Sequence, residues 1–427
     1  MSSGDGDARA GIVVTGSELL TGRIADRNGP WVAQRLGERG VEVTHVLCVG
    51  DRAGDLDQAL RFLAAQRVDV IVTSGGLGPT ADDMTTEVVA RFAGRELALD
   101  EGMRARIAAI VDRFAAGTGF GGEPAAVAIR KQAMVPRGAA TIDPTGTAPG
   151  LVVPVEGGPV VIALPGPPRE LQGMWEQALD TPPARAVLDR VRPYSAVALR
   201  LFGLPEPEIA QTLREVGARV DLSALEITTC LRGSELEVDV RYRAGGRAAS
   251  EQLVEEIVRR HGHHLVSRDG SSTGDQVAAL LRGRRIGVAE SCTGGLLAAR
   301  LTDRAGSSEY VAGGVVAYSD EAKVELLGVP ASLIAQHGAV SPEVAMSMAD
   351  GARRRFAADL GVGITGVAGP GGGTEAKPVG YVCLCVTTAD GAVLARDPVL
   401  PGDRADIRDR SVDVALHLVN RILQPST

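Results

Sequence analysis

The chain has 427 residues, too many for one hydrophobic core, so two or three domains are expected. Its net charge of −8 argues against a surface that coats nucleic acid, and no apolar run approaches the roughly 20 residues that span a bilayer. The first residues lack the basic and apolar regions of a signal peptide. Five cysteines without a CxxC pair favour reduced thiols and a cytoplasmic location.

Residues 1–175 alternate between strand and helix patterns. Strands are predicted for residues 41–49 and 68–73, and helices for residues 26–39 and 54–66. This alternation indicates an α/β domain with a mostly parallel sheet. Ligands of such sheets bind at the carboxyl ends of the strands, where glycine-rich turns lead into helices.

Two polar, glycine-rich segments follow strands in this part, at residues 15–22 and 73–85. Closely spaced glycines let backbone N–H groups approach a phosphate, and adjacent carboxylates can hold a hard divalent ion that bridges phosphate oxygens. The alternative, an aspartate that only caps a helix, does not account for three glycines upstream. The candidate residues are Gly75, Gly76, Gly78 and Thr80 for phosphate, and Glu18, Asp82 and Asp83 for the metal.

Residues 176–270 show a different pattern, which predicts a small α+β, KH-like middle domain. Antiparallel strands are expected at residues 225–229 and 235–242, and a helix at residues 248–260. The segment 261–264 (HGHH) is interpreted as a boundary loop with solvated histidines, because no carboxylate or cysteine lies at metal-site spacing nearby. The GxxG loop of RNA-binding KH modules is missing from this segment.

Residues 271–427 return to strand–helix alternation and are predicted to form a second α/β domain. Strands are expected at residues 285–289, 311–318, 360–365 and 379–388, and helices at residues 276–281 and 406–423. Cys383 and Cys385 alternate on one face of the last strand and are expected to be small core residues.

The segment 289–295 (AESCTGG) lies between a predicted strand and a predicted helix. Ser291 and Cys292 therefore occupy a strand-to-helix turn, where a nucleophile can be exposed and still rigidly held. Gly294 and Gly295 are expected to let backbone N–H groups crowd a small anion. The alternative is a glycine-rich turn with a capping Ser or Thr, and Cys292 is expected to be a buried small side chain and not a thiolate.

Further candidate residues follow the neighbouring strands of this domain. Only His337 and His417 are present there, so a Ser-His-Asp triad is poorly supported. A Ser–Lys arrangement fits better, since a desolvated lysine can accept a serine proton, although Lys323 considered alone is expected at the surface. The remaining candidates are Tyr318 for proton relay, the loop from Thr365 through Gly369 to Gly373 for N–H donors, and Arg404 for a phosphate.

Several motifs, in order, resemble the CinA family: residues 15–22 (TGSELLTG), 74–83 (SGGLGPTADD), 164–168 (LPGPP), 290–295 (ESCTGG) and 402–404 (GDR). For residues 1–175 the resemblance implies a molybdopterin-binding-like fold with metal-dependent ADP-ribose pyrophosphatase activity. Asp82 and Asp83 would be its metal ligands or catalytic acids. Asp143 stands where the family usually has Asn, which bears on substrate preference and not on the fold.

For the last domain the resemblance implies a nicotinamide mononucleotide deamidase, which releases nicotinic acid mononucleotide and ammonia without a cofactor. Ser291 would be the nucleophile, Lys323 the general base and Tyr318 a proton relay. Thr365 would lie in the site, and Arg404 would contact the substrate phosphate.

These expectations describe a cytoplasmic homodimer that recycles pyridine nucleotides, with Mg²⁺, Mn²⁺ or Co²⁺ at the first site. Its ligands would be nicotinamide mononucleotide, ADP-ribose and related NAD-derived pyrophosphates, and it would contact neither membranes nor nucleic acid. Two alternatives stay open. One is a non-catalytic protein that binds a nucleotide or pterin, and the other is an accessory of competence or DNA-damage responses.

Overall fold

The computed structural model describes residues 8–118, 122–191 and 194–424. The described residues divide into two units, one that ends at Tyr194 and one that begins at Ser195. Within these ranges, no helix has both the length and the apolar character that crossing a bilayer requires.

The first unit is built from short strands and helices that alternate along the chain. Its strands are β1 (Arg9–Thr15), β2 (Glu42–Val49), β3 (Val70–Ser74), β4 (Leu97–Leu99), β5 (Met134–Pro136), β6 (Ala140–Ile142), β7 (Gly150–Pro154) and β8 (Val160–Leu164). Its helices are α1 (Ser17–Leu20), α2 (Asn28–Glu38), α3 (Ala53–Ala65), α4 (Thr85–Phe92), α5 (Glu101–Thr118), α6 (Glu123–Gln132), α7 (Pro168–Leu179) and α8 (Pro182–Leu188).

The main sheet of the first unit has the strand order β2-β1-β3-β8-β7-β6. The first four strands run parallel, and β7 and β6 are antiparallel additions at one edge. Helices cover both faces: Ile12 packs with α2 and α7, and the adjacent Val13 packs with α3 and α4. Continuous burial along β1, with neighbouring residues facing opposite layers, is the pattern of a strand between two helical layers.

Helix α8 belongs to the first unit, because Ala184 and Val187 join the same hydrophobic core as α2 and α7. The sequence analysis placed this segment in the middle domain, on the strength of the prolines that begin the helix. Pro182 and Pro183 occupy its first positions, where a missing N–H group costs nothing. The expected division into three domains stays a prediction.

The second unit contains two sheets. Its strands are β9 (Ser195–Phe202), β10 (Leu225–Arg232), β11 (Glu235–Tyr242), β12 (Leu265–Ser267), β13 (Ile286–Glu290), β14 (Val311–Val316), β15 (Leu360–Gly366), β16 (Val382–Thr388) and β17 (Val393–Arg396). Its helices are α9 (Glu206–Gly217), α10 (Arg247–His261), α11 (Thr273–Leu280), α12 (Leu296–Thr302), α13 (Asp320–Leu327), α14 (Ala331–His337), α15 (Pro342–Arg355) and α16 (Arg404–Leu423). Short 3₁₀ turns occupy Ala244–Gly246, Gly262–His264 and Ser307–Glu309.

The smaller sheet is antiparallel, with the order β10-β11-β9-β12, and packs against α9 and α10. The sequence predicted β10 and β11 but not the flanking strands. The interpretation of His261 as a solvated loop residue was wrong: it ends α10, is 8% exposed, and its Nε2 lies 2.8 Å from the Thr212 hydroxyl. Burial, the largest cause, lowers its pKa.

The larger sheet has the order β14-β13-β15-β16-β17, in which β13 runs parallel to both neighbours. Strands β16 and β17 are antiparallel, because no crossover helix separates β15 from β16. Helix α15 packs on one face, where Cys383 and Cys385 are fully buried as expected. Helices α11, α12 and α16 cover the other face.

Close packing of α15 on β15 predicts that Gly363→Ala destabilises the protein. A methyl group at Gly363 would overlap the carbonyl oxygen of Ala345 and lie 2.6 Å from the Ala349 nitrogen. We expect the free energy of unfolding to fall by about 2 kcal/mol or more in urea titrations. Gly262→Ala is the control, since nothing lies within 4 Å of its added methyl group. Equal stability of the two variants would contradict this packing.

Candidate functional site

The polar segments of the first unit meet at the carboxyl ends of its parallel strands. The Gly75 N–H donates to the Leu164 carbonyl at 3.0 Å, and the Gly16 N–H donates to the Val49 carbonyl at 3.0 Å. The Thr15 hydroxyl donates to the Ser74 carbonyl at 3.3 Å. The structure therefore brings together three motifs that are far apart in the sequence.

Glycine is required at the start of the loop after β3. Gly75 and Gly76 have φ angles of 105° and 68°, which side chains rarely tolerate. A methyl group at either position would also overlap a threonine hydroxyl, that of Thr15 or of Thr85 respectively. The Thr85 hydroxyl donates to the Gly75 carbonyl at 2.8 Å and ties the loop to the first turn of α4.

Thr80 organises the two adjacent aspartates. Its backbone N–H and its hydroxyl both lie within hydrogen-bond distance of Asp83 Oδ2, at 2.9 and 2.6 Å, and the hydroxyl also contacts Asp82. The Thr80 hydrogen bond, with a smaller contribution from the Lys131 ammonium, lowers the pKa of Asp82. A methyl group at Gly78 would overlap the Asp83 carboxylate, so the loop closes tightly around this group.

The expected set of three metal-binding carboxylates is not formed. Across the described ranges, no group of three or more His, Cys, Asp or Glu side chains is placed to hold a metal ion. Glu18 bends back over its own turn, where Oε1 lies 2.8 Å from the Cβ position of Gly16. The adjacent Asp82 and Asp83 still fit Mg²⁺, which often takes one or two carboxylates together with phosphate oxygens.

Two residues of this site were missed by the sequence analysis. Asn28 is 6% exposed, and its Nδ2 donates to the Ser74 hydroxyl at 2.8 Å and to the Gly166 carbonyl at 2.6 Å. Glu170, on the first turn of α7, lies against Gly146, and burial raises the pKa of its carboxyl. The Leu-Pro-Gly-Pro-Pro motif just before α7 was the available signal for Glu170.

The candidate residues of the second unit also meet at one edge of a sheet. Glu290, the last residue of β13, pairs with Val316 on β14 and with Ile364 on β15. The Ser291 N–H donates to the Ile364 carbonyl at 2.9 Å. Ser291 therefore follows β13, which lies between β14 and β15, and it stands between the segments that carry Tyr318 and Thr365. Helices α12 and α15 pack on opposite faces of the sheet here, and the carboxyl ends of such strands are a typical ligand site of α/β sheets.

The buried carboxylate of Glu290 occupies the beginning of α12. It is 1% exposed and accepts hydrogen bonds from the N–H groups of Gly295 at 3.0 Å, Leu297 at 3.1 Å and Ala298 at 2.8 Å. Three N–H donors and the positive end of the helix compensate its charge. Sequence analysis gave this residue no role, although a carboxylate just before a glycine-rich helix start was the signal.

Glu290 changes the role expected for the two glycines. The Gly295 N–H is bound to Glu290, and the Gly294 N–H donates to the Ser291 carbonyl at 3.1 Å. The N–H groups of Gly294 and Gly295 are thus engaged within the turn itself, and a role of the two glycines in substrate binding stays a prediction. Their positive φ angles of 60° and 96° shape the turn that carries Ser291.

A hydrogen-bond chain links Tyr318, Arg404 and Gly369. The Arg404 guanidinium donates to the Tyr318 hydroxyl at 2.9 Å and to the Gly369 carbonyl at 2.6 Å. Tyr318 is 61% exposed, so this chain lies at the surface of the site. Helix α16 begins here with Asp403 as its cap, which orients Arg404.

Lys323 is not a surface residue. It is 2% exposed, because α13 packs its side chain towards the interior. Its Nζ lies 3.4 Å from the Tyr318 carbonyl, 3.5 Å from the Ser319 carbonyl and 3.6 Å from Asp320. The expectation of a surface position was wrong. No hydrogen bond joins Lys323 Nζ to Ser291 Oγ in the described chain, so its role as a general base stays a prediction.

The remaining residues around Ser291 are buried. Ser291 is 8% exposed and Thr365 1% exposed, with the Thr365 hydroxyl bound to the Ala339 carbonyl at 2.8 Å. Cys292 is 6% exposed, and burial raises the pKa of its thiol to about 11. The thiol is thus protonated at neutral pH, which favours the serine hydroxyl over the cysteine as a nucleophile.

Comparison with known proteins connects this geometry to a family. Residues 271–423 match the family model described as CinA C-terminal domain, and residues 11–185 match the one described as probable molybdopterin binding domain. A CinA-like protein of Mycobacterium sp. (strain MCS) is 58% identical over 98% of this chain and 99% of its own length. A CinA-like protein of Mycobacterium tuberculosis (strain ATCC 25177 / H37Ra) is 55% identical over 97% of both chains.

Solved structures match single parts of the chain. The competence/damage inducible protein CihA from Agrobacterium tumefaciens is 38% identical and covers 37% of this chain and 100% of its own, with a TM-score of 0.35. The molybdopterin biosynthesis enzyme MoaB from Thermus thermophilus is 18% identical and covers 43% of this chain and 98% of its own, with a TM-score of 0.28.

Cysteine alkylation tests the burial of Cys292. With a thiol pKa of about 11, roughly 0.1% of Cys292 is thiolate at pH 8. We expect iodoacetamide to modify the exposed Cys230 and to leave Cys292 unmodified in the native protein, as measured by peptide mass spectrometry. Modification of Cys292 at a rate close to that of Cys230 would contradict the buried, protonated thiol. Unfolding in urea should make the two cysteines equally reactive.

Proposed function

Because this chain belongs to the CinA family, we propose that its second unit hydrolyses nicotinamide mononucleotide to nicotinic acid mononucleotide and ammonia. The convergence of Ser291, Thr365 and the Tyr318–Arg404 pair at one edge of the larger sheet carries this proposal. The unit presents a serine nucleophile on a rigid turn, and a guanidinium suited to a substrate phosphate lies at the surface of the same site.

Ser291 would begin the reaction. Its oxygen attacks the carboxamide carbon and forms a C–O bond, while its proton passes to Lys323, with Tyr318 as a relay. Collapse of the tetrahedral intermediate breaks the C–N bond, and the leaving nitrogen takes up a proton and departs as ammonia. Water then hydrolyses the ester, which releases the nicotinic acid product and restores the serine hydroxyl.

The oxyanion would be stabilised by main-chain N–H groups that the turn leaves available. Among the described residues, the N–H groups of Cys292 and Thr293 have no main-chain acceptor, unlike those of Gly294 and Gly295. The N–H group of the residue after a nucleophile serves this purpose in other strand-to-helix turns. Arg408 donates to the Thr293 carbonyl at 2.8 Å and so holds the peptide group between Thr293 and Gly294.

Substitution of Ser291 tests the proposed amide hydrolysis. We expect Ser291→Ala to lower kcat at least about 1000-fold, because the nucleophile is lost. Cys292→Ala should keep kcat within about tenfold, since the thiol is not the nucleophile. The activities of both variants are measured by mass spectrometry of nicotinamide mononucleotide incubated with metal-free protein. Full activity of Ser291→Ala, or a loss of activity in Cys292→Ala alone, would contradict the proposal.

For the first unit we propose metal-dependent hydrolysis of ADP-ribose or related NAD-derived pyrophosphates. The support is the glycine loop beside Asp82 and Asp83, which joins a candidate phosphate cradle to two carboxylates. Asp82 and Asp83 would hold Mg²⁺, Mn²⁺ or Co²⁺, and the ion would offset the charge of the pyrophosphate. Attack of water on one phosphorus breaks the P–O–P linkage and yields two monophosphates.

A second candidate for the first unit is binding without turnover. The match of residues 11–185 to a probable molybdopterin binding domain favours it. A pterin or nucleotide would then bind tightly to the same glycine loop, and incubation would release no product. The two candidates differ in a single observation, which is the appearance of AMP from ADP-ribose in the presence of a divalent ion.

Substitution of Asp83 tests the pyrophosphatase proposal. We expect Asp83→Asn to lower AMP release from ADP-ribose at least about 100-fold, and EDTA to have a similar effect on the unaltered protein. Asp83→Asn should leave the hydrolysis of nicotinamide mononucleotide unchanged, and Ser291→Ala should leave AMP release unchanged. Chromatography of both reactions on both variants therefore separates the two sites. AMP release that survives both Asp83→Asn and EDTA would contradict the assignment.

We further propose that the protein is a cytoplasmic homodimer. The cysteines Cys48, Cys230, Cys292, Cys383 and Cys385 are all free thiols, as expected in a reducing compartment. Two-fold symmetric dimers are the commonest assemblies of proteins of this kind. Sedimentation analysis of the full chain would test the dimer.

A further inference from the structure

A cavity of about 370 Å³ lies in the second unit, apart from the residues assigned to the amide-hydrolysing site. Its walls come from the end of β9, from β17 and from the last turns of α16, and they include Phe202, His264, Arg396, His417 and Arg421. The volume lies at the lower end of the range of small-molecule pockets. None of the functions proposed above uses these residues.

One wall of the cavity is a pair of stacked rings. Phe202 and His417 lie 4.0 Å apart between ring centroids, with their planes only 6° from parallel. Leu394 and Leu418 extend the wall with aliphatic surface. Flat aromatic and aliphatic surfaces of this kind favour a planar ring as ligand.

The cavity is positively charged. Arg396 and Arg421 both line it, and no Asp or Glu does. Arg396 donates to the Ala395 carbonyl at 3.0 Å, and neither arginine forms an ion pair within the described chain. This lack of compensating charge contrasts with the net charge of −8 of the whole protein. Guanidinium groups without a carboxylate partner are suited to a phosphate or carboxylate ligand.

The His417 ring lines the cavity as a neutral group. Its Nδ1 is buried within the protein and has no hydrogen-bond partner among the described residues. Burial, the largest cause, together with the nearby Arg421 and Arg396, lowers the pKa of His417 to about 4, so the ring is neutral at pH 7.

We propose that this cavity binds an organic anion that carries an aromatic ring, of the size of a mononucleotide. The ring lies against the Phe202–His417 pair, and the phosphate or carboxylate binds Arg396 and Arg421. Such a ligand matches the apolar wall and the uncompensated positive charge together. Inorganic phosphate matches only the charge, and an uncharged nucleoside matches only the wall.

Nuclear magnetic resonance of the histidine rings tests this proposal in the full chain. The protein has 6 histidines, so selective ¹³C labelling gives few ring signals, and His417→Phe identifies the signal of His417. The probes are AMP and nicotinic acid mononucleotide. We expect at least one to shift the His417 signal in a saturable manner, and adenosine and inorganic phosphate to bind at least about tenfold more weakly. Because only the His417 signal is followed, binding near Ser291 or near Asp82 and Asp83 does not contribute to the measurement.

Arginine variants supply the matched comparison. Arg396→Ala and Arg421→Ala should each raise the Kd measured at His417 by about tenfold, since each loses a charge-assisted hydrogen bond. Arg282→Ala, at another exposed arginine of the same unit, should leave the Kd unchanged. The proposal is overturned if neither probe moves the His417 signal at millimolar concentration. It is equally overturned if the two cavity variants bind as tightly as Arg282→Ala.

Discussion

The second unit depends on one buried carboxylate. Glu290 ends β13, an interior strand of the larger sheet, and accepts hydrogen bonds from three N–H groups at the beginning of α12. A buried charge is costly unless it is fully compensated, and here the helix end supplies the compensation. The strand, the turn and the helix are thereby held as one rigid piece, and the next residue is Ser291. A nucleophile carried on such a piece needs little reorganisation before reaction.

The two units suit different chemistry. Ser291, Thr365 and Lys323 are buried, and the proposed reaction needs a nucleophile, a base and N–H donors. Around Asp82 and Asp83 the surface is exposed, and two carboxylates beside a glycine loop suit a divalent ion and a pyrophosphate. Both proposed substrates belong to pyridine-nucleotide metabolism, which would make recycling a shared purpose of the two sites.

Sequence patterns predicted the α/β fold class and about half of the strands that the structure describes, because hydrophobic periodicity and glycine turns are local signals. The same patterns placed the candidate residues near the ends of strands. The features that the patterns did not predict depend on tertiary contacts. Lys323 is buried because α13 packs it inwards, and His261 is buried because α10 packs on α9. The Gly295 N–H group donates to the carboxylate of Glu290, five residues earlier in the chain. Strand β9 escaped prediction because its pattern depends on partners distant in sequence.

Detection of the acyl-enzyme would test the central claim, that Ser291 is the nucleophile, most directly. The protein would be mixed with nicotinamide mononucleotide, quenched in acid within milliseconds to seconds, digested and analysed by mass spectrometry. We expect an ester of the nicotinic acid nucleotide on the peptide that contains Ser291. The ester should also form in Cys292→Ala and be absent from Ser291→Ala. An adduct on Cys292, or product formation by Ser291→Ala at the unaltered rate, would contradict it.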